Sequence, residues 1–145
     1  MNRSRIRIKI LPCLFVVFVL LSACTTTSSH KFASPAPDWQ TRSGQLLYRT
    51  PRTTLIGEVV VRSSKSGDFE LTFSKGPGVA LLILRQDASF AEVKGALARM
   101  GWAGTIDQAP AQLRGWLQLR AQIQRAPTRR SIRYVSGNET FILRF

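Results

Sequence analysis

The sequence predicts an α+β domain in which a strongly bent antiparallel sheet is packed by one or two helices. Three observations carry that reading. Phe69, Leu71 and Phe73 alternate with Glu70 and Thr72, the period-2 pattern of a strand with one apolar face. Leu113, Trp116, Leu117 and Ala121 recur at helical spacing after Pro110, which suits a first helical position. Strand-like runs lie before and after these helical patterns rather than alternating with them one by one, and that order separates sheet from helix layer.

Taken in order, residues 46–48 and 55–62 read as strands, the second β-branched through Val59, Val60 and Val61. Residues 63–68, SSKSGD, are turn chemistry, so the Phe69 strand follows as a hairpin partner. KGPG, at 75–78, is a second breaker cluster. Residues 79–84, VALLIL, are apolar at every position, as a central strand covered on both faces would be. After Asp87 two readings stand. A helix fits the capping-box spacing of Ser89 and Glu92 and the recurrence of Phe90, Val93, Leu97 and Met100 up to Gly101, although Gly95 weakens it. The alternative is a strand over 90–94 with a short helix through Leu97. The helix after Pro110 shows Arg114, Gln118, Gln122 and Arg125 on its other side and stops at Pro127. Residues 132–135 and 140–145 read as two last strands around the turn Ser136-Gly137-Asn138-Glu139.

The N-terminal third has a different character. Arg3, Arg5, Arg7 and Lys9 precede an apolar run from 10 to 21 that is short of the roughly 20 residues a permanent span needs. This is the pattern of an export signal. Leu21-Ser22-Ala23-Cys24 resembles the lipobox of bacterial lipoproteins, which implies cleavage after Ala23 and diacylglycerol on the Cys24 thiol. Acylated Cys24 would hold the protein to membrane lipid, because each buried CH₂ is worth roughly 0.8 kcal/mol and two chains anchor stably. In that family an aspartate after the cysteine favours the inner membrane; Thr25 stands here, which implies the outer membrane, facing the periplasm. Residues 1–23 are thus expected to be a signal peptide. Residues 24–37, rich in Ser, Thr, Pro and Ala, are expected to be a flexible tether, and 38–145 the folded domain. Cys13 leaves with the leader, so no disulfide within one mature chain is expected.

The formal net charge is +13, four of its cations lying in the leader. Nucleic acid is not expected as a partner, because the protein is exported and most arginines are scattered. Arg125, Arg129, Arg130 and Arg133 cluster around Pro127, and they read either as a solvated loop or as a contact for anionic lipid headgroups. Catalytic chemistry is sparse. His30 is the only histidine and lies in the tether, so no histidine base or metal site is expected within the fold. The eight carboxylates form no pair at a spacing diagnostic of acid–base catalysis, and KGPG lacks the rest of a phosphate-binding loop. Neither an enzyme nor a cofactor is expected.

Apolar and aromatic residues are abundant instead. A bent sheet capped by helices leaves a concave apolar space suited to acyl chains, and Phe69, Leu71, Phe73, Leu81, Ile83, Trp116 and Leu117 would line it. Two stretches, GEVVVRSSKSGDFELTFSKGPG (57–78) and ALARMGWAGTIDQAPAQLRGWLQL (96–119), resemble the outer-membrane lipoprotein receptor LolB family, within the lipoprotein-carrier superfamily that includes LolA. The resemblance rests on the Gly-initiated strand with an arginine, the Gly-Asp-Phe opening of its partner, a Gly-Pro turn, and Gly-Trp followed by Pro-x-x-Leu-x-x-Trp-Leu. It implies an incomplete antiparallel β-barrel closed by helices, reduced in size. It further implies a protein that binds acyl chains or accepts lipoproteins from a periplasmic carrier. The alternative is an anchored structural or interaction module of the envelope with no ligand cavity.

Overall fold

A computed structural model of the chain describes residues 29–145. The expected signal peptide, the lipobox-like Leu21-Ser22-Ala23-Cys24 and the first residues of the expected tether lie outside the described residues. The domain is built on one eight-stranded antiparallel sheet: β1 (Gln40–Arg49), β2 (Thr54–Ser63), β3 (Phe69–Ser74), β4 (Ala80–Gln86), β5 (Phe90–Lys94), β6 (Trp102–Thr105), β7 (Ser131–Ser136) and β8 (Glu139–Arg144). One α-helix, α1 (Ala111–Arg125), separates β6 from β7, and short 3-10 turns occupy Ala96–Ala98 and Ile106–Gln108. This is the expected α+β class, with a curved sheet that does not close into a barrel.

The strand order is β6-β5-β4-β3-β2-β1-β8-β7. The first six strands form a meander, each beside its predecessor. The chain then crosses through α1 and returns as a hairpin whose β8 pairs with β1. The strands' alternation places one set of side chains on the concave face: Leu46 and Tyr48, Val59 and Val61, Phe69, Leu71 and Phe73, Leu82 and Leu84, Ala91 and Val93, Phe141 and Leu143. Helix α1 adds Leu113, Trp116, Leu117, Leu119 and Ile123 to the same core.

Several expectations are resolved or corrected here. Of the two readings after Asp87 the structure has the second: 90–94 is strand β5, pinned by pairing with β4 on one side and β6 on the other, and the 3-10 turn at Ala96–Ala98 follows. Strand β6 has no counterpart in the sequence reading, because Trp-Ala-Gly-Thr shows little β-propensity and owes its conformation to that pairing. β4 is not covered on both faces. Leu82 and Leu84 point into the core, whereas Ile83 stands on the outer face at 38% exposure. The register shifts between Phe73 and Ser74, leaving Leu81 as the unpaired extra residue of a bulge, half-buried at the core's margin. On α1, Ala121 is exposed while Leu119 and Ile123 are buried. The helix lies inside a curved wall and therefore buries a broader face than one stripe.

Candidate functional site

The residues expected to line an acyl pocket divide into two groups. Phe69, Leu71, Phe73, Trp116 and Leu117 meet in one cluster between sheet and helix; Leu81 sits at its margin and Ile83 faces away. The cluster is filled. Trp116 packs at ring-centroid distances of 4.9 Å from Tyr48, 5.8 Å from Phe73 and 5.1 Å from Phe141, the last edge-to-face. Trp116 therefore occupies the space that the sequence reading assigned to a ligand.

One polar contact sits beside this aromatic cluster. The Tyr48 hydroxyl donates to the Glu139 carboxylate at 2.5 Å. Burial, then the hydrogen bond and charge of Glu139, push the Tyr48 hydroxyl far above its ordinary range, so it remains a donor at every physiological pH. Burial also raises the Glu139 carboxyl, and the Tyr48 hydrogen bond offsets only part of that rise. Three side-chain bonds tie α1 to residues outside it: Arg114 donates to the Ala109 carbonyl at 3.1 Å, Arg120 donates to the Asp87 carbonyl at 2.5 Å, and the Tyr134 hydroxyl of β7 donates to Gln118.

The expected headgroup residues fall at one corner. Arg125 ends α1, Arg129 and Arg130 lie in the connection to β7, and all three are exposed; Arg133 is exposed on β7. Their neighbour Arg42 stacks 3.8 Å over the Phe145 ring and donates to the Arg129 carbonyl at 2.5 Å. The Arg130 carbonyl accepts the Phe145 amide. This corner's backbone is thus fixed by β1 and the C-terminal residue while the arginine side chains stay in solvent.

The described part of the expected tether lies against the sheet. His30 donates to Asp87 at 2.5 Å and stacks on Phe90 with centroids 4.3 Å apart. Arg85 stands 5.2 Å from the Phe32 ring and reaches the Ala33 carbonyl. Residues 30–33 therefore strap the outer face of β4 and β5. The sequence signal for this contact was the pair of rings, His30 and Phe32, inside an otherwise small and polar segment. Beside the strap an open groove of about 1150 Å³ runs along β5 and β6, with Lys31, Phe90, Lys94, Met100 and Trp102 among its walls. That groove was not foreseen, because β6 was not.

Among the described residues no three histidine, cysteine, aspartate or glutamate side chains gather as a metal site would require, and no helix is long and apolar enough to cross a membrane. No protein-family model matches the chain, and no curated protein matches it.

Proposed function

We propose that the chain is a non-enzymatic lipoprotein, held to the outer membrane through acylated Cys24, whose curved sheet accepts acyl chains of a lipid or lipoprotein in place of α1. The observation that supports this reading is the cover on the concave face. That face is apolar strand after strand, and a single helix shields it, entered through a 3-10 turn and Pro110 and left through the irregular segment 126–130.

Magnitudes decide whether such an exchange is feasible. Withdrawing α1 exposes Leu113, Trp116, Leu117, Leu119 and Ile123. At roughly 1.5–3 kcal/mol each, that costs about 8–15 kcal/mol. One acyl chain of about 15 methylenes taken from water returns about 12 kcal/mol at 0.8 per CH₂, and a chain handed over from an apolar site returns only the difference between the two sites. A single chain roughly balances the helix, and a diacyl group exceeds it. Diacyl lipids are accordingly the expected ligands.

The test has two parts. Radiolabelled palmitate is expected to enter the wild-type protein and not Cys24→Ser; equal labelling of both removes the anchor. A fluorescent fatty acid is expected to bind the protein, to be displaced by a diacyl lipopeptide, and to speed hydrogen exchange along α1. The filled interior favours a second reading, an anchored structural module without a ligand cavity. Absence of probe binding with α1 still protected would leave that module in its place.

A further inference from the structure

Five large apolar side chains stand exposed among the described residues: Ile56, Val79, Ile83, Met100 and Val135. Four of them lie at one end of the sheet. The antiparallel register puts the β1–β2, β3–β4, β5–β6 and β7–β8 connections at that end, since Arg49 pairs with Thr54 and Thr140, Ser74 with Ala80 and Glu58, and Ile83 with Lys94. Each hairpin carries one such residue: Ile56 just after the first turn, Val79 in the second, Met100 in the third and Val135 just before the fourth. All four are more than half exposed, Met100 completely so.

The charges at the two ends differ as well. Arg49, Arg52, Lys75 and Arg99 are exposed on these hairpins, and the connecting segments 50–53, 75–79, 95–101 and 137–138 contain no Asp or Glu. Two carboxylates border this end: Glu139, which is turned to Tyr48, and Glu58, exposed on β2 opposite Ser74. At the opposite end the connections hold Asp68, Asp87 and Asp107, and no large apolar residue is exposed on them.

From this arrangement we propose that the hairpin end is a membrane-docking surface, Val79 and Met100 in its turns and Ile56 and Val135 on its flanking strands entering the headgroup layer of an anionic bilayer while its cations meet the lipid phosphates. Apolar side chains beside cations are the composition of an interfacial contact. Chain length agrees. His30 is bonded to Asp87 at the opposite end of β5, and the five residues from Ser29 back to Cys24 span at most roughly 18 Å, about the length of that five-residue strand, so Cys24 reaches the hairpin end when they run extended along the groove that Ser29 shares with Met100. An acylated Cys24 and the hairpin tips can therefore reach one surface, a placement that rests on the lipid-anchored reading.

The experiment is hydrogen exchange of the full-length chain, in detergent, on phosphatidylcholine vesicles, and on vesicles that also contain phosphatidylglycerol. Slower exchange is expected in 50–53, 75–79, 95–101 and 137–138 on the anionic vesicles alone, and it should weaken with salt. Ile56→Asp together with Met100→Asp should remove that protection while leaving exchange in β1–β4 unchanged, both sites being exposed. In the Cys24→Ser chain, Arg52→Gln with Arg99→Gln should lower affinity for anionic vesicles on the order of 25-fold, each cation near such a surface being worth about fivefold. Equal exchange on vesicles and in detergent would overturn the proposal. So would protection confined to 64–68 and 126–130, which would move the contact to the arginine corner. Failure of palmitate labelling with the turns still protected would remove the anchor and leave the docking surface standing; labelling without protection would do the reverse.

Discussion

Two carboxyl groups are shifted in opposite directions, and the signs lead to opposite pH dependences. Burial raises the Asp87 carboxyl, but the Ser89 and Phe90 amides at 2.9 and 2.8 Å and the His30 ring outweigh it and hold the group below its ordinary value. A lowered folded value means stability present above the unfolded pKa and lost as pH falls through the folded one. Asp87→Ala is therefore expected to cost about 1.5–3 kcal/mol in urea unfolding at neutral pH, the usual worth of bonds to a charged group, and much less once the carboxyl is protonated. Glu139 is the opposite case. Its folded value is raised, so its contribution is complete below the unfolded pKa and lost as pH rises through the folded value. Glu139→Gln keeps an acceptor for Tyr48 and removes the charge. The variant should be more stable than wild type at neutral pH and converge with it in acid; lower stability at neutral pH would mean that the charged hydrogen bond outweighs desolvation.

At the scale of elements, α1 and β3 depend on each other. Neither α1's Trp116 nor the β3 residues Leu71 and Phe73 retain appreciable contact with solvent. Trp116→Ala should cost about 3–5 kcal/mol, the loss of its aromatic packing plus the cavity left behind. Leu71→Trp adds volume to a filled space and should destabilise by about 1–3 kcal/mol. Thermal or urea unfolding checks both. A tolerated Leu71→Trp would show that the interior yields, as a helix able to move aside requires. β3 was legible because Phe69, Leu71 and Phe73 face one way in a strand whose other face is polar. β4 was harder: VALLIL is apolar throughout, and only the bulge beside Ser74 determines that Leu82 and Leu84 face the core and Ile83 faces out.

Neighbouring strands of the sheet approach closely at two glycines. A Cβ placed on Gly44 would lie 1.9 Å from the Arg144 carbonyl oxygen, and one on Gly57 2.1 Å from that of Ser74. Both obstructions are backbone of the neighbouring strand, so neither can swing away, and only glycine permits β1 and β2 to bend there. Gly57→Ala should therefore destabilise by about 3 kcal/mol, at the upper end for overpacking, and disturb the amide signals of β2 and β3 together. A loss below about 0.5 kcal/mol, ordinary for a surface site, would show that the sheet flattens freely and that its bend does not depend on these contacts.

Sequence alone determined the class of this fold, the β3 strand, the position of α1 and the closing hairpin, because in each the apolar period matches the element's own geometry. It also determined that the chain carries one histidine and eight carboxylates, which composition gives without any fold. Tertiary structure decided the rest. β5 is a strand because β4 and β6 flank it, and β6 exists because β5 offers it an edge. The interior is closed because Trp116 arrives from a helix more than forty residues beyond Phe73 in the chain. The hairpin end unites Ile56, Val79, Met100 and Val135, whose spacing along the chain follows no period. Periodicity records which way a side chain points from its own element; which element stands opposite depends on register and curvature, and these are properties of the assembled sheet.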